Sequence, residues 1–197
     1  MAGSRTMTDM DSIPPSPDDA IDATREWLER AVIGLNLCPF AKAVQRKGQV
    51  RYVVSQATQP LQLHEDLVRE LEHLRDTDPE TTDTTLLIHP YVLGDFLDFN
   101  EFLEVADDTV ADLALDGEIQ VASFHPAFQF EGTASDDITN YTNRSPFPTL
   151  HLLREASIDR AVAAFPDAAA IFESNMETLD RLGHEGWKAL FDGPANP

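Results

Sequence analysis

Scarcity carries the first information in this chain. There is one cysteine, Cys38, so no disulfide can form within the chain and the thiol has to be accounted for on its own. Lysine and arginine number 14 against 35 aspartates and glutamates, a formal charge of −21. Such a charge repels polyanions and acidic head groups, so neither nucleic acid nor membrane is expected as a partner. No apolar run approaches the roughly 18 residues that cross a bilayer, and the first residues lack the charged-then-apolar order of a signal peptide. A cytoplasmic location is expected. Neither G-x-G-x-x-G nor G-x-x-x-x-G-K-[ST] occurs, which removes the usual nucleotide-binding loops.

What is present suits one core. With 197 residues and 42% hydrophobic content, the chain is long enough for a single domain and too short for two comfortable ones. "MAGSRTMTDMDSIPPSP" has three prolines and few large apolar side chains, too little to offset the entropy of ordering. Residues 1–17 are therefore expected to be a disordered tail, 18–192 one domain, and 193–197 a second short tail.

Within the domain the hydrophobic period changes repeatedly. Ile21, Trp27, Leu28, Val32 and Ile33 fall on one helical face that Gly34 ends. "QVRYVVSQ" (49–56) is rich in β-formers, and "PLQLHEDLVRELEHLRD" (60–76) carries Leu63, Leu67, Leu71 and Leu74 at helical spacing. "TTLLIHP" (84–90) reads as a strand buried on both faces. Asp98 and Glu101 have capping-box spacing before a helix striped by Phe99, Phe102, Leu103, Ala106, Val110 and Leu113, and "EIQVASFHP" (118–126) is a third strand. This alternation predicts a single-domain α/β protein with a small, mainly parallel sheet covered by helices. Residues 131 to about 149 have neither period and read as a long ordered loop, stiffened by Pro146 and Pro148. Helices return from Ser157 onward.

Candidate chemistry gathers in three places. His89-Pro90 and His125-Pro126 each end a strand, at the carboxyl edge where open parallel sheets build sites. In "LNLCPFAKA", Cys38 stands as the cap of a short helix opened by Pro39, where the helix dipole favours thiolate. Lys42, Arg46, Lys47 and Arg51 follow closely. In "TNYTNRSPFPTLHLLRE" (139–155), Arg144 offers a planar fork for carboxylate or phosphate and Asn140 and Asn143 donate and accept. His151 and Arg154 are read as opening the next helix, whose free N–H groups favour an anion. Together these form an anion clamp. Asp95, Asp98, Glu131, Asp136 and Asp137 could supply a base or a hard-metal site, but no spacing singles out a pair.

"VIGLNLCPFAK", "TTLLIHPYVLGDFLDFNEFL" and "IQVASFHPAFQFEGTASDDITNYTNRSPFPTLHLLREASIDRAV" resemble a bacterial family catalogued as domain of unknown function 1415, over about residues 20–190. That resemblance implies no activity and no catalytic residue.

The residues themselves support three functions. The first is a thiol-dependent hydrolase or transferase acting on a small anionic metabolite. Its catalytic residues are Cys38, His125 and His151, with Asn140, Asn143, Arg144, Arg154, Lys42 and His89 binding substrate. The second is a metal-binding protein or metalloenzyme using Cys38, His125 and His151. The third is a non-catalytic module that binds a small ligand or a protein. The cofactor is left open by these residues.

Overall fold

The computed structural model describes residues 14–164 and 168–192, so the segments 1–13 and 193–197 of the two expected tails lie outside the described residues. Helix α1, Pro17–Trp27, starts where the tail was expected to end. Ser16 caps it: its hydroxyl accepts from the Asp19 N–H, the Asp19 carboxylate bonds back to the Ser16 N–H, and Pro17 takes the first helical position. The helix continues as a π-helical stretch, Leu28–Ile33. There the Gly34 N–H donates to the Glu29 carbonyl five residues back.

Helix α2, Ala41–Arg46, is short; β1 is Val50–Val54, α3 Pro60–Asp76, β2 Thr84–Ile88, α4 Phe96–Asp112 and β3 Ile119–Phe124. The α4 cap is Asp95, whose carboxylate accepts from the Leu97 and Asp98 N–H groups. Asp98, expected as part of a capping box, lies instead in the first turn. A single 3-10 turn, Ile138–Thr142, interrupts the long loop. Then come β4, Thr149–Arg154, α5, Glu155–Ala164, and α6, Ala168–Ala189, which breaks at Gly183 with φ 62°. Among the described residues no helix is long and apolar enough to cross a membrane.

The fold is α/β, but the sheet is mixed and not mainly parallel. Its order is β1-β2-β4-β3. β1 and β2 run parallel, whereas β4 is antiparallel to both β2 and β3. Helical crossovers deliver β2 and β3 in the same direction, but the chain returns from β3 through a loop without a crossover helix. Such a return pairs antiparallel. β4 therefore slots between β2 and β3, in a segment expected to be loop and helix start.

Strand alternation splits the sheet into two different faces. On one, Leu87, Leu150 and Leu152 pack against Leu63, Leu67, Leu71 and Leu74 of α3 and Phe99 of α4, all without exposed surface. On the other, Trp27, Leu28, Ala31 and Val32 cover Val50, Tyr52 and Phe124, with Trp187 of the C-terminal helix and Leu190 and Phe191 of the turn after it packed against them.

Gly34 is required by this geometry. A Cβ there would run into the carbonyl oxygen of Arg30, held close by the π-helical turn. Replacing a helical glycine by alanine ordinarily gains stability. Here Gly34→Ala is expected to lower the urea midpoint, and a midpoint equal to or above wild type would show that the π-helical turn is not held.

Candidate functional site

His89 and His125 are neighbours, as the matched strand ends suggest, but they belong to the core. Both rings lie flat against Phe99, with centroids at 5.5 Å and 5.1 Å. The His89 Nδ1–H donates to the Val92 carbonyl at 3.0 Å and the His125 Nε2–H to the Leu93 carbonyl at 3.2 Å. His125 Nδ1 accepts from the Ala127 N–H at 3.0 Å. Two neutral imidazoles thus clip the turn after β2, where Leu93 sits at φ 57°. Burial pushes His89 down to about 4 and also lowers His125. The His89 Nε2 is sealed with no hydrogen-bond partner among the described residues, which a neutral ring tolerates better than a charged one.

The expected anion clamp is occupied by its own loop. Asn140 is fully buried. Its Oδ1 accepts from the Phe130 N–H and the Thr133 hydroxyl, both at 2.9 Å, and its Nδ2 donates to the Ala134 carbonyl. Asn143 donates to the Ser123 carbonyl. Arg144 donates to the carbonyls of Phe128 and Ser135 and lies 4.5 Å over the Tyr141 ring. Arg154 is a β4 residue, not a helix-start residue. Its guanidinium gathers the carbonyls of Leu74, Thr77 and Thr82 at the end of α3. Burial lowers its pKa, and these carbonyls satisfy its donors in place of a ligand. Lys42 is exposed on α2.

Cys38 and His151 do come together, around a cavity of about 330 Å3 between the sheet and helices α1, α2 and α5. Its walls are apolar: Trp27, Leu28, Val32, Phe40, Leu86 and Phe124 are among them. Cys38 is partly buried against the Trp27 cluster. It does not cap a helix, because α2 starts only at Ala41 with Phe40 before it. The dipole argument for its thiol therefore lapses. His125 is on the opposite side of the sheet, against Phe99, so Cys38, His125 and Arg144 do not share a pocket.

His151 stands on β4 facing this cavity, opposite Leu86 of β2 and Ala122 of β3. The Thr84 hydroxyl donates its one proton to the Leu152 carbonyl at 2.6 Å. Its oxygen must then accept from the His151 Nε2–H, 2.7 Å away. This fixes the tautomer and leaves Nδ1 as a bare acceptor. Nδ1 has no hydrogen-bond partner among the described residues and is not sealed as His89 Nε2 is. Burial pushes the ring down to about 4, so near neutral pH it is an uncharged base in an apolar chamber. Sequence reasoning picked out His151 for its type but placed it on a helix, and it missed Thr84. Reading "TLHLLR" with period two would have put His151 and Leu153 on one face and Leu150 and Leu152 on the other.

A second cavity, of about 400 Å3, lies between Trp27, Tyr141, Arg144 and Trp187, with Glu26 on its rim. Its one guanidinium is already committed to carbonyls and to the Tyr141 face. Among the described residues no group of three or more His, Cys, Asp or Glu side chains could hold a metal ion.

A family model described as "Protein of unknown function (DUF1415)" matches residues 19–189. No curated protein and no solved structure matches the chain.

The buried histidines set a pH dependence. Folded values near 4 for His89 and His151 lie below the ordinary 6.5, so the unfolded chain binds more protons between those limits. Stability therefore falls as pH drops below about 6.5 and this contribution levels off below about 4. Each ring accounts for up to about 3 kcal/mol by then. Urea midpoints should decline between about pH 7 and pH 5, above the main carboxylate range, and less steeply in His89→Leu. A flat profile over that interval would contradict the burial of these rings.

Proposed function

We propose that this chain, which belongs to the DUF1415 family, is a binding protein for a small, largely apolar molecule held in the cavity that His151 floors. Membership brings no activity with it, so the reading rests on the chain's own geometry. The observation that carries it is the combination of apolar walls with one oriented acceptor. Ligand sites are typically apolar chambers of about 300–1,000 Å3 with a few placed polar groups. Here the placed group is His151 Nδ1, presented by the Thr84–Leu152 relay. A ligand N–H or O–H would meet a neutral acceptor there, while the rest of the molecule would replace water against Trp27, Leu86 and Phe124.

Catalysis is the second reading, favoured by one observation: Cys38 borders the same cavity as His151. A neutral imidazole oriented by a hydroxyl can take a proton from a thiol or from a bound nucleophile. The substrate would then be apolar in its body, since Asn140, Asn143, Arg144 and Arg154 are engaged with backbone carbonyls. Reaction with a thiol-modifying reagent separates the two readings. Protection of Cys38 by an occupant shows a shared chamber, and turnover that Cys38→Ser abolishes would be needed for catalysis.

The primary test uses N-phenyl-1-naphthylamine, an apolar fluorophore with a single N–H. Saturable binding with quenching of Trp27 is expected. His151→Phe keeps the ring volume, removes the acceptor and should weaken binding about fivefold, the equivalent of one hydrogen bond. Ala122→Trp should fill the chamber and abolish binding. Absence of saturable binding to the wild-type protein would overturn the reading.

A further inference from the structure

The apolar chamber has a charged vestibule. A third cavity, of about 280 Å3, adjoins it and shares Phe40, Val44, Asp83, Ser157 and Ala161 with it. The shared residues are Phe40 and Val44 at α2, Asp83 just before β2, and Ser157 and Ala161 of α5, so the two volumes adjoin along these side chains. Beyond that line the lining changes character: Lys47, Arg160, Glu80 and Gln49 replace the aromatic and aliphatic walls.

Four charges face the vestibule, and they are not equally free. Ser157 donates to Asp83 Oδ1 at 2.6 Å, and Arg160 reaches the same carboxylate oxygen at 3.8 Å while donating to Ser157 Oγ at 2.9 Å. Asp83 is thereby already compensated. The Gln49 amide is turned away, onto the carbonyls of Pro79 and Glu80. Lys47 has no ion pair and no side-chain hydrogen bond among the described residues, and the Arg160 side chain is 69% exposed. In a chain of formal charge −21, two cations at the mouth of an apolar chamber make a local exception. Their carboxylate neighbours in the lining are Asp83, already held, and Glu80.

We infer that the occupant is a single-chain amphiphile: an alkyl chain fills the chamber above His151 and an anionic head, carboxylate or phosphate, lies in the vestibule against Lys47 and Arg160. This inference rests on the binding proposed above and names its ligand class. Burying the chain supplies the affinity, since each methylene withdrawn from water adds to the hydrophobic gain. The two cations supply orientation and selectivity, with Arg160 offering a planar fork and Lys47 a point charge. The acidic remainder of the surface repels the same head elsewhere, so the mouth is where it comes to rest.

Displacement of N-phenyl-1-naphthylamine by decanoate, decyl phosphate, decanol and decyltrimethylammonium tests the inference. At least one of the two anions should displace the dye about tenfold more tightly than decanol, and which one does so distinguishes a carboxylate from a phosphate head. Decyltrimethylammonium should be the weakest. The preference should shrink as salt is raised and collapse toward the decanol value in the Lys47→Ala, Arg160→Ala double variant. If the dye binds but neither anion surpasses decanol, the amphiphile inference falls while the cavity reading stands. If the preference survives the double variant, the head does not lie in this vestibule. If the dye itself fails to bind, both proposals fall together.

Discussion

Antiparallel insertion of β4 between β2 and β3 is the constraint on which the rest of the molecule depends. It makes β4 a central strand, hydrogen-bonded on both sides, so each of its side chains points into one of two enclosed layers. Leu150 and Leu152 complete the layer under α3 and α4 without remaining surface. The other face carries Ala122 and His151 beside Leu86 at its middle, with Thr84 at the start of β2. The helices that span this face meet it through Trp27, Leu28 and Val32 at the perimeter. Beside Leu86, Leu153 and Phe124 on that face, the shorter or polar side chains of Thr84, Ala122 and His151 line the cavity of about 330 Å3.

The long loop is the means by which β4 gets there. Its polar side chains bond backbone: Asn140 holds three groups of the loop itself, Asn143 ties it to β3, and Arg144 gathers two of its carbonyls. A long loop with a single 3-10 turn has backbone groups to satisfy, and these residues satisfy several of them. Tyr141 then packs edge-on against Trp187 and His184 of α6, so the C-terminal helix is docked through the loop. Polarity that reads as a ligand clamp in one dimension is, in three, the internal bonding of a strand return.

Several elements were legible because one local rule governed them. α3 follows from its leucines and Pro60, and its bounds were read correctly; β2 follows from a continuous apolar run. His89 and His125 could be paired from their matching strand ends. β4 was not legible, since a strand that enters beside its predecessor's neighbour leaves no crossover signature, and two prolines before it concealed its start. The roles of Asn140, Asn143, Arg144 and Arg154 depend on carbonyls distant in sequence or on a loop shape that composition does not encode. Cys38 and His151 line the same cavity only because β4 lies in the sheet, so this followed from the topology and from no spacing between them.

The π-helical stretch Leu28–Ile33 bears on how this chain tolerates length changes. An α-helix turns about 100° per residue, and a π-turn is an α-helix accommodating one residue too many. Trp27 and Val32 both reach the cavity wall because that surplus residue brings them onto a common side. Deleting one residue here would let the stretch return to α geometry with its flanking turns still in phase, whereas a deletion within Pro17–Trp27 would rotate everything before it by about that angle. Most helices absorb a substitution better than a frame slip. In this one the π-turn is the place where a residue can be lost and the indole of Trp27 still face Phe124, its edge-on neighbour at 5.1 Å.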